Sequence, residues 1–297
     1  MPGYEERASI LQDAGDMIFK LVCERSTPEQ WAESLRAPLE HAAGTANHDL
    51  VKKLLKAGAD GSAGWKGCHG KTLLHAAAEG GDGQVVSALI RAGVGEDINA
   101  EILDTGHTPL HLAILGGKGA AAGALVMARA DVNILDDNGD APLHLAIEGG
   151  HTRVAKDLLI GGADHAVRNP TGQYPIHLAA SRGQDLMVRS LVQRGVNLDC
   201  LDGRLKNPLA VAVLEDHVST SWLGVPMSTF KWAQTAKPPY TSPPASIPVL
   251  VEAGGNIEAK MTTRITPLYC AARFGSCAAM LALLQLGAHA NFKTNFG

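Results

Sequence analysis

Three stretches decide the fold: GHTPLHLAI at 106–114, GDAPLHLAI at 139–147 and GQYPIHLAA at 172–180. Their prolines, Pro109, Pro142 and Pro175, stand 33 residues apart, and Pro208 continues the interval. A related KTLLHAAA occupies 71–78, and Pro38 and Pro267 carry the same mark nearer the two ends. Self-similarity at a fixed period over many copies predicts a stacked repeat, in which each unit buries its apolar face against its neighbours.

A second mark runs about twenty residues behind the first, at Gly58, Gly93, Arg129, Gly162, Gly195 and Gly287. Between the marks lie two short apolar periodicities. One is the LHLAI-like segment; the other reads LVKKLLKAG (50–58), VVSALIRAG (85–93), VAKDLLIGG (154–162) and MVRSLVQRG (187–195). Apolar residues at i, i+3 and i+4 predict a helix in each case. Proline suits the first position of a helix because its missing N–H has no partner there. Glycine after the second helix can take a left-handed cap. The linkers, such as ADVNILDDNGDA (130–141), read as extended fingers with a tight turn at Asp136–Gly139. The chain is therefore expected to hold seven helix–turn–helix units.

The pattern T-P-L-H-x-A-A, then V-V-x-L-L-x-x-G-A-D-V-N, then D-x-x-G resembles the ankyrin repeat over roughly residues 37–297, and 108–133 and 141–164 fit it best. That resemblance implies an all-α repeat solenoid with short β-hairpin-like fingers. It also implies a non-catalytic protein-interaction scaffold, bound through the finger tips and the exposed side of the first helices. The groove-facing helix positions would be Glu79, Leu115, Glu148, Arg182, Leu214, Arg273 and Phe274. The finger positions would be Asp104, Asp136, Asp137, Asp140, Arg168, Arg204, Lys206, Lys260 and Arg264. Acidic residues gather in the second to fourth repeats and basic ones in the fifth to seventh, which predicts a groove that orients its ligand by charge. The first two fingers are longer, and Trp65 in one of them is either folded back or an exposed anchor.

Departures from the pattern carry information. Arg129 replaces a capping glycine, and Leu205 and Arg264 replace the finger-tip glycine. Ala141 and Tyr174 replace the threonine before the motif histidine, so His144 and His177 should lack a hydrogen bond that Thr108 offers His111, a difference of about 1 kcal/mol. Residues 1–36 read as two helices capping the stack, with Ile10, Leu11, Ala14, Met17, Ile18, Leu21 and Val22 on one face. In the sixth repeat, residues 221–246 are an insertion rich in proline and aromatics that interrupts the second helix. A surface excursion, a docking element built on Trp222, Phe230, Trp232 and Tyr240, and translation of an unspliced intron are three open readings of it. The ending at Asn291–Gly297 matches Asn133–Gly139, so the natural chain is expected to continue.

Composition excludes several classes. The net charge of −4 argues against a nucleic-acid partner. No stretch approaches 18 apolar residues, so no membrane span is expected. Five cysteines without a CxxC pair suit a reducing compartment, and the cytoplasm is the expected location, with the nucleus also open. The histidines His75, His111, His144 and His177 recur one repeat apart and form no HxxxH or Cys/His set, so no metal is expected. GGKGAAAG (116–123) lacks the GK[ST] ending of a phosphate loop and reads as an inter-helix turn. No catalytic constellation or cofactor is expected, and the partner is expected to be another protein bound by a monomer. The alternative function is the regulatory or substrate-recruiting arm of a larger enzyme whose catalytic domain lies beyond Gly297.

Overall fold

The computed structural model describes residues 35–59, 68–94, 98–220, 246–260 and 265–290, with the side chains of 216–220 excepted. Among them, fourteen α-helices form seven successive pairs and there is no strand. The chain divides into two compact units, Met1–Asp164 and His165–Gly297. The first holds α1 (Arg36–Gly44), α2 (His48–Lys56), α3 (Leu73–Gly80), α4 (Gly83–Arg91), α5 (Pro109–Leu115), α6 (Gly119–Met127), α7 (Pro142–Glu148) and α8 (Thr152–Ile160). The second holds α9 (Pro175–Ser181), α10 (Asp185–Val192), α11 (Pro208–Thr220), α12 (Ser246–Glu252), α13 (Pro267–Phe274) and α14 (Cys277–Gln285).

Each unit is two rows of helices. In the first, α1, α3, α5 and α7 pack in sequence, and α2, α4, α6 and α8 form the second row. In the second unit α9, α11 and α13 make one row and α10, α12 and α14 the other. The core of the first unit lies between its rows, where Leu39, Leu54, Leu74, Leu89, Leu110, Ile114, Leu125, Leu143 and Ile147 are fully buried. Each such residue contributes roughly 1.5–3 kcal/mol by leaving water. Seven- to nine-residue helices are too short to persist alone, so this burial is what holds them.

The backbone explains the punctuation of the sequence. Every residue of the second mark has positive φ: Gly58, Gly93, Gly162, Gly195 and Gly287 at 77–101°, and Arg129 at 68°. The turn inside each pair uses a second left-handed position, eight residues after the motif proline. Ala46, Gly81, Gly117, Gly150, Gly183 and Gly275 fill it. The sixth repeat has Asp216 there, in a helical conformation, and α11 runs on to Thr220 without the turn.

That corrects the expected layout of the sixth repeat. The sequence places the inserted segment, 221–246, inside the second helix of that repeat. Instead the first helix continues through the turn position, and the second helix is represented by α12. Ser246, placed in the insertion by its sequence, is the first residue of α12 and is fully buried, so the helix resumes at 246. Residues 221–245, residues 1–34 of the expected 1–36 cap, Trp65 and Arg264 lie outside the described residues.

Candidate interaction surface

The fingers are built by one residue each. Asp136 Oδ1 accepts hydrogen bonds from the backbone N–H groups of Asn138 and Asp140, both at 2.9 Å. In the second unit Asn169 Oδ1 accepts from Thr171 and Gln173, and Asp202 Oδ1 accepts from Arg204 and Lys206 at 2.8 Å. All three side chains are buried. Each finger closes with two backbone bonds: Asp136, Asn169 and Asp202 donate their N–H to the carbonyls of Asp140, Gln173 and Lys206, and accept at their own carbonyls from Gly139, Gly172 and Leu205. The hairpin-like expectation is met by turns of this kind.

The motif histidines tie fingers to helices. His75 Nδ1 accepts from the Thr72 N–H (3.0 Å) and lies 2.8 Å from its hydroxyl, which places the ring proton on Nε2. That Nε2–H donates to the His107 carbonyl in the next finger, at 3.1 Å. His177 Nε2 donates in the same way to the Lys206 carbonyl (3.0 Å). Burial pulls the pKa of all three of His75, His111 and His177 down, for His111 to about 4. These histidines are neutral framework residues. Asn99 and Asn133 add a rung on the finger bases, their Oδ1 atoms accepting from the N–H groups of Asp131 and Asp164 at 2.8 Å.

In the first unit, the finger side carries acids. Glu79 is exposed on α3 and pairs with Lys71 at 2.7 Å. Asp104 is exposed and bonds His69 Nδ1. Asp137 is exposed within the turn, and Glu148 ends α7. Asp140 is pushed up to about 6 by burial first and then by the neighbouring charges of Asp136 and Glu148. Glu40 on α1 is also raised, by burial, with Lys71 and Glu79 nearby. Leu115 is half-exposed among them. Asp136 differs from the rest: only 6% exposed, it is part of the finger's frame.

The second unit carries bases at the corresponding positions. Arg168 lies over the Tyr174 ring, 4.8 Å from its centre, and its guanidinium donates to the Leu201 carbonyl (3.4 Å). Arg182, Arg204, Lys260, Arg273 and Phe274 are exposed, and Lys206 and Leu214 are half-buried. Among the described residues no three His, Cys, Asp or Glu side chains come together as metal ligands would. No described helix is long and apolar enough to cross a membrane.

Sequence reasoning missed two groups of exposed apolar residues. Leu103 (79% exposed) and Leu135 are on the fingers of the first unit, beside the acids. Met127 and Ile160 end α6 and α8 and are the most exposed large apolar side chains of the first unit's second row among the described residues. The signal for the second group was present, since the position of Met127 and Ile160 is Lys56, Arg91, Gln193 and Gln285 in other repeats; Leu135 has leucine again at Leu201 and gave no such signal. GGKGAAAG was also misplaced in part: Gly116–Lys118 form the turn, but Gly119–Gly123 belong to α6.

A family model for ankyrin repeats, three copies long, matches residues 39–136, 94–169, 117–202 and 143–223. The matches together span well over half of the chain, and it belongs to the ankyrin repeat family. The solved human ASB11 ankyrin repeat domain is similar to it, with a TM-score of 0.64 and 22% identity, covering 86% of this chain and all of that one. An ankyrin repeat domain from Acinetobacter baumannii is similar with a TM-score of 0.55 and 24% identity, covering 85% of this chain and 98% of its own. At such identities the likeness concerns the fold, a repeat solenoid. No curated protein matches the chain by sequence. Ankyrin repeats are in general protein-interaction modules, and domains built from them are typically non-catalytic.

Proposed function

We propose that this chain is a non-catalytic scaffold that holds a protein partner on its fingers and first helices, the first unit taking a basic, leucine-contacting stretch of that partner. One observation carries the reading: Glu79, Asp104, Asp137, Asp140 and Glu148 share the finger side of the first unit with exposed Leu103, Leu115 and Leu135. Apolar contact then supplies affinity and the acidic surround supplies orientation and on-rate. Asp140 is raised by burial first and then by Asp136 and Glu148, and a cation arriving there offsets that second, repulsive part. On the second unit Arg168, Arg182, Arg204 and Arg273 suit an acidic stretch. The free thiols of Cys200, Cys270 and Cys277 suit a reducing compartment such as the cytoplasm.

The test is a quantitative pulldown with the intact chain and with the Glu79→Lys, Asp137→Lys, Glu148→Lys variant, all three positions lying on this surface. Partners of the intact chain should be lost from the variant and should dissociate as salt rises. Equal recovery by both chains would refute the acidic face as the binding surface.

A further inference from the structure

The second-row helices of the first unit form a trough of about 810 Å³ that the fingers do not reach. Its floor is low because of what α4 and α6 lack. Gly83, Ser87 and Ala88 face it from α4, and Gly119, Ala120, Gly123 and Ala124 from α6. None of these seven side chains extends beyond a methyl or a hydroxymethyl; Gln84 on α4 and Val126 on α6 also line the trough. The helices on either side have long residues instead, Lys52 on α2 and Arg153, Asp157 and Ile160 on α8. The two central helices are also close together: a Cβ on Gly83 would sit 2.5 Å from the Ala120 carbonyl oxygen.

Two further observations say what fits. At one end Met127 and Ile160 are 86% and 76% exposed, an apolar pair on adjacent helices with nothing over it among the described residues. The rim holds the cations Lys52, Arg91 and Arg153, with no ion pair to any of them among the described residues. Two carboxylates stand against these three cations, Asp157 and Asp82, the latter also capping α4 by accepting from Gln84 N–H at 2.7 Å, so the rim keeps one net positive charge. The outward charge is therefore positive around a smooth apolar floor. The nine-residue helices beside it run about 13 Å.

We propose that this trough docks a short amphipathic α-helix of a partner protein, with large apolar residues on one ridge and acidic residues on both flanks. The ridge sits in the Gly/Ala floor and meets Met127 and Ile160, and the flanking carboxylates reach Lys52, Arg91 and Arg153. This is helix-in-groove recognition, read as anchors at i, i+3, i+4 and i+7. It is separate from the finger surface and gives the first unit two faces for binding, so each can fail without the other.

Two phage-displayed libraries of helical peptides test it against the full chain. Each peptide is about 18 residues, long enough to hold a helix; the ridges are randomised apolar, and the flanks are Glu/Asp in one library and Lys/Arg in the other. The acidic library should yield binders. The blocking variant is Gly123→Gln, because a Cβ there meets only Asp157 Oδ2, at 4.0 Å, and projects into the trough. It should weaken those binders about tenfold or more without lowering the unfolding temperature, glutamine being the better helix former. Arg91→Glu with Arg153→Glu should shift selection to the basic library. Binders from both libraries equally, none from the acidic one, or binders indifferent to Gly123→Gln would overturn the proposal. So would binders blocked by the finger-side lysine variant instead. A dimer that Gly123→Gln dissolves would make a second copy the occupant and overturn it. An Ala124→Cys thiol shielded from labelling in the free monomer would assign the trough to the chain itself, with the same consequence.

Discussion

His75 Nε2 lies 3.1 Å from the carbonyl oxygen of His107, 32 residues further along the chain. The bond runs from the first helix of one repeat to the finger of the next, and His177 makes its counterpart to Lys206 in the second unit. A motif that looks local in sequence is therefore a joint between repeats. The threonine before the histidine decides how firmly the ring is held. Thr72 and Thr108 place a hydroxyl within 2.9 Å of Nδ1, while Ala141 has no side-chain oxygen and only its N–H reaches His144 Nδ1, at 3.2 Å.

Thr108→Ala should destabilise the chain by about 1 kcal/mol, the usual worth of a helix N-cap, and Ala141→Thr should stabilise it by a similar amount. Denaturant midpoints for the two variants, compared at equal slope, check both. Shifts of the same sign would contradict the assignment.

Arg129 and Leu205 hold φ of 68° and 59° at positions that other repeats give to glycine. A left-handed residue with a Cβ costs roughly 1–2 kcal/mol. Arg129→Gly and Leu205→Gly should each raise the thermal midpoint, by an amount reduced by the extra freedom glycine adds to the unfolded chain. Both side chains are exposed, so neither change loses much packing.

Gly83 and Gly123 should respond oppositely to alanine. Gly123 has room and sits inside α6, so Gly123→Ala should gain about 1 kcal/mol of helix propensity. Gly83→Ala drives a Cβ to 2.5 Å from a backbone oxygen, and should lose roughly 1–3 kcal/mol as α4 and α6 separate. Chemical denaturation of the pair reads the difference directly.

Acid should weaken the fold through its buried histidines between pH 6.5 and 4. His111 falls from 6.5 to about 4 in the folded chain because it is buried, and His75 and His177 are lowered for the same reason. Between those values the unfolded chain binds more protons than the folded one, so stability drops as pH falls from 6.5 towards 4. For His111 the loss is on the order of 3 kcal/mol once both states are protonated. Asp140 acts the other way. Its pKa is raised from 3.8 to about 6, so its charged form costs stability above that range and protonation relieves the cost. Asp140→Asn should stabilise the chain at pH 7, and the gain should vanish below pH 4. Unfolding free energies across pH 4–7 in both chains separate the two effects; a pH-independent gain would refute the assignment to Asp140 ionisation.

The repeat period, the helix pairs and the left-handed caps were legible in the sequence because each depends on local chemistry. Pro109, Pro142 and Pro175 open helices wherever they stand, and Gly162 and Gly195 permit a backbone that few other residues tolerate. Stacking then follows, since every unit presents the same apolar stripe to the next. Tertiary structure alone decided the rest. Asp136 and Asp137 are neighbours with the same charge, yet one is buried as the frame of a finger and the other faces solvent. Asp216 in place of glycine let α11 run through a turn that the repeat period called for. The outward trough arose from small residues on two helices 36 residues apart, Gly83 and Gly119, and only packing brings these into one floor. Local propensity sets where helices start and stop, but which faces remain open depends on side-chain sizes compared across neighbouring repeats.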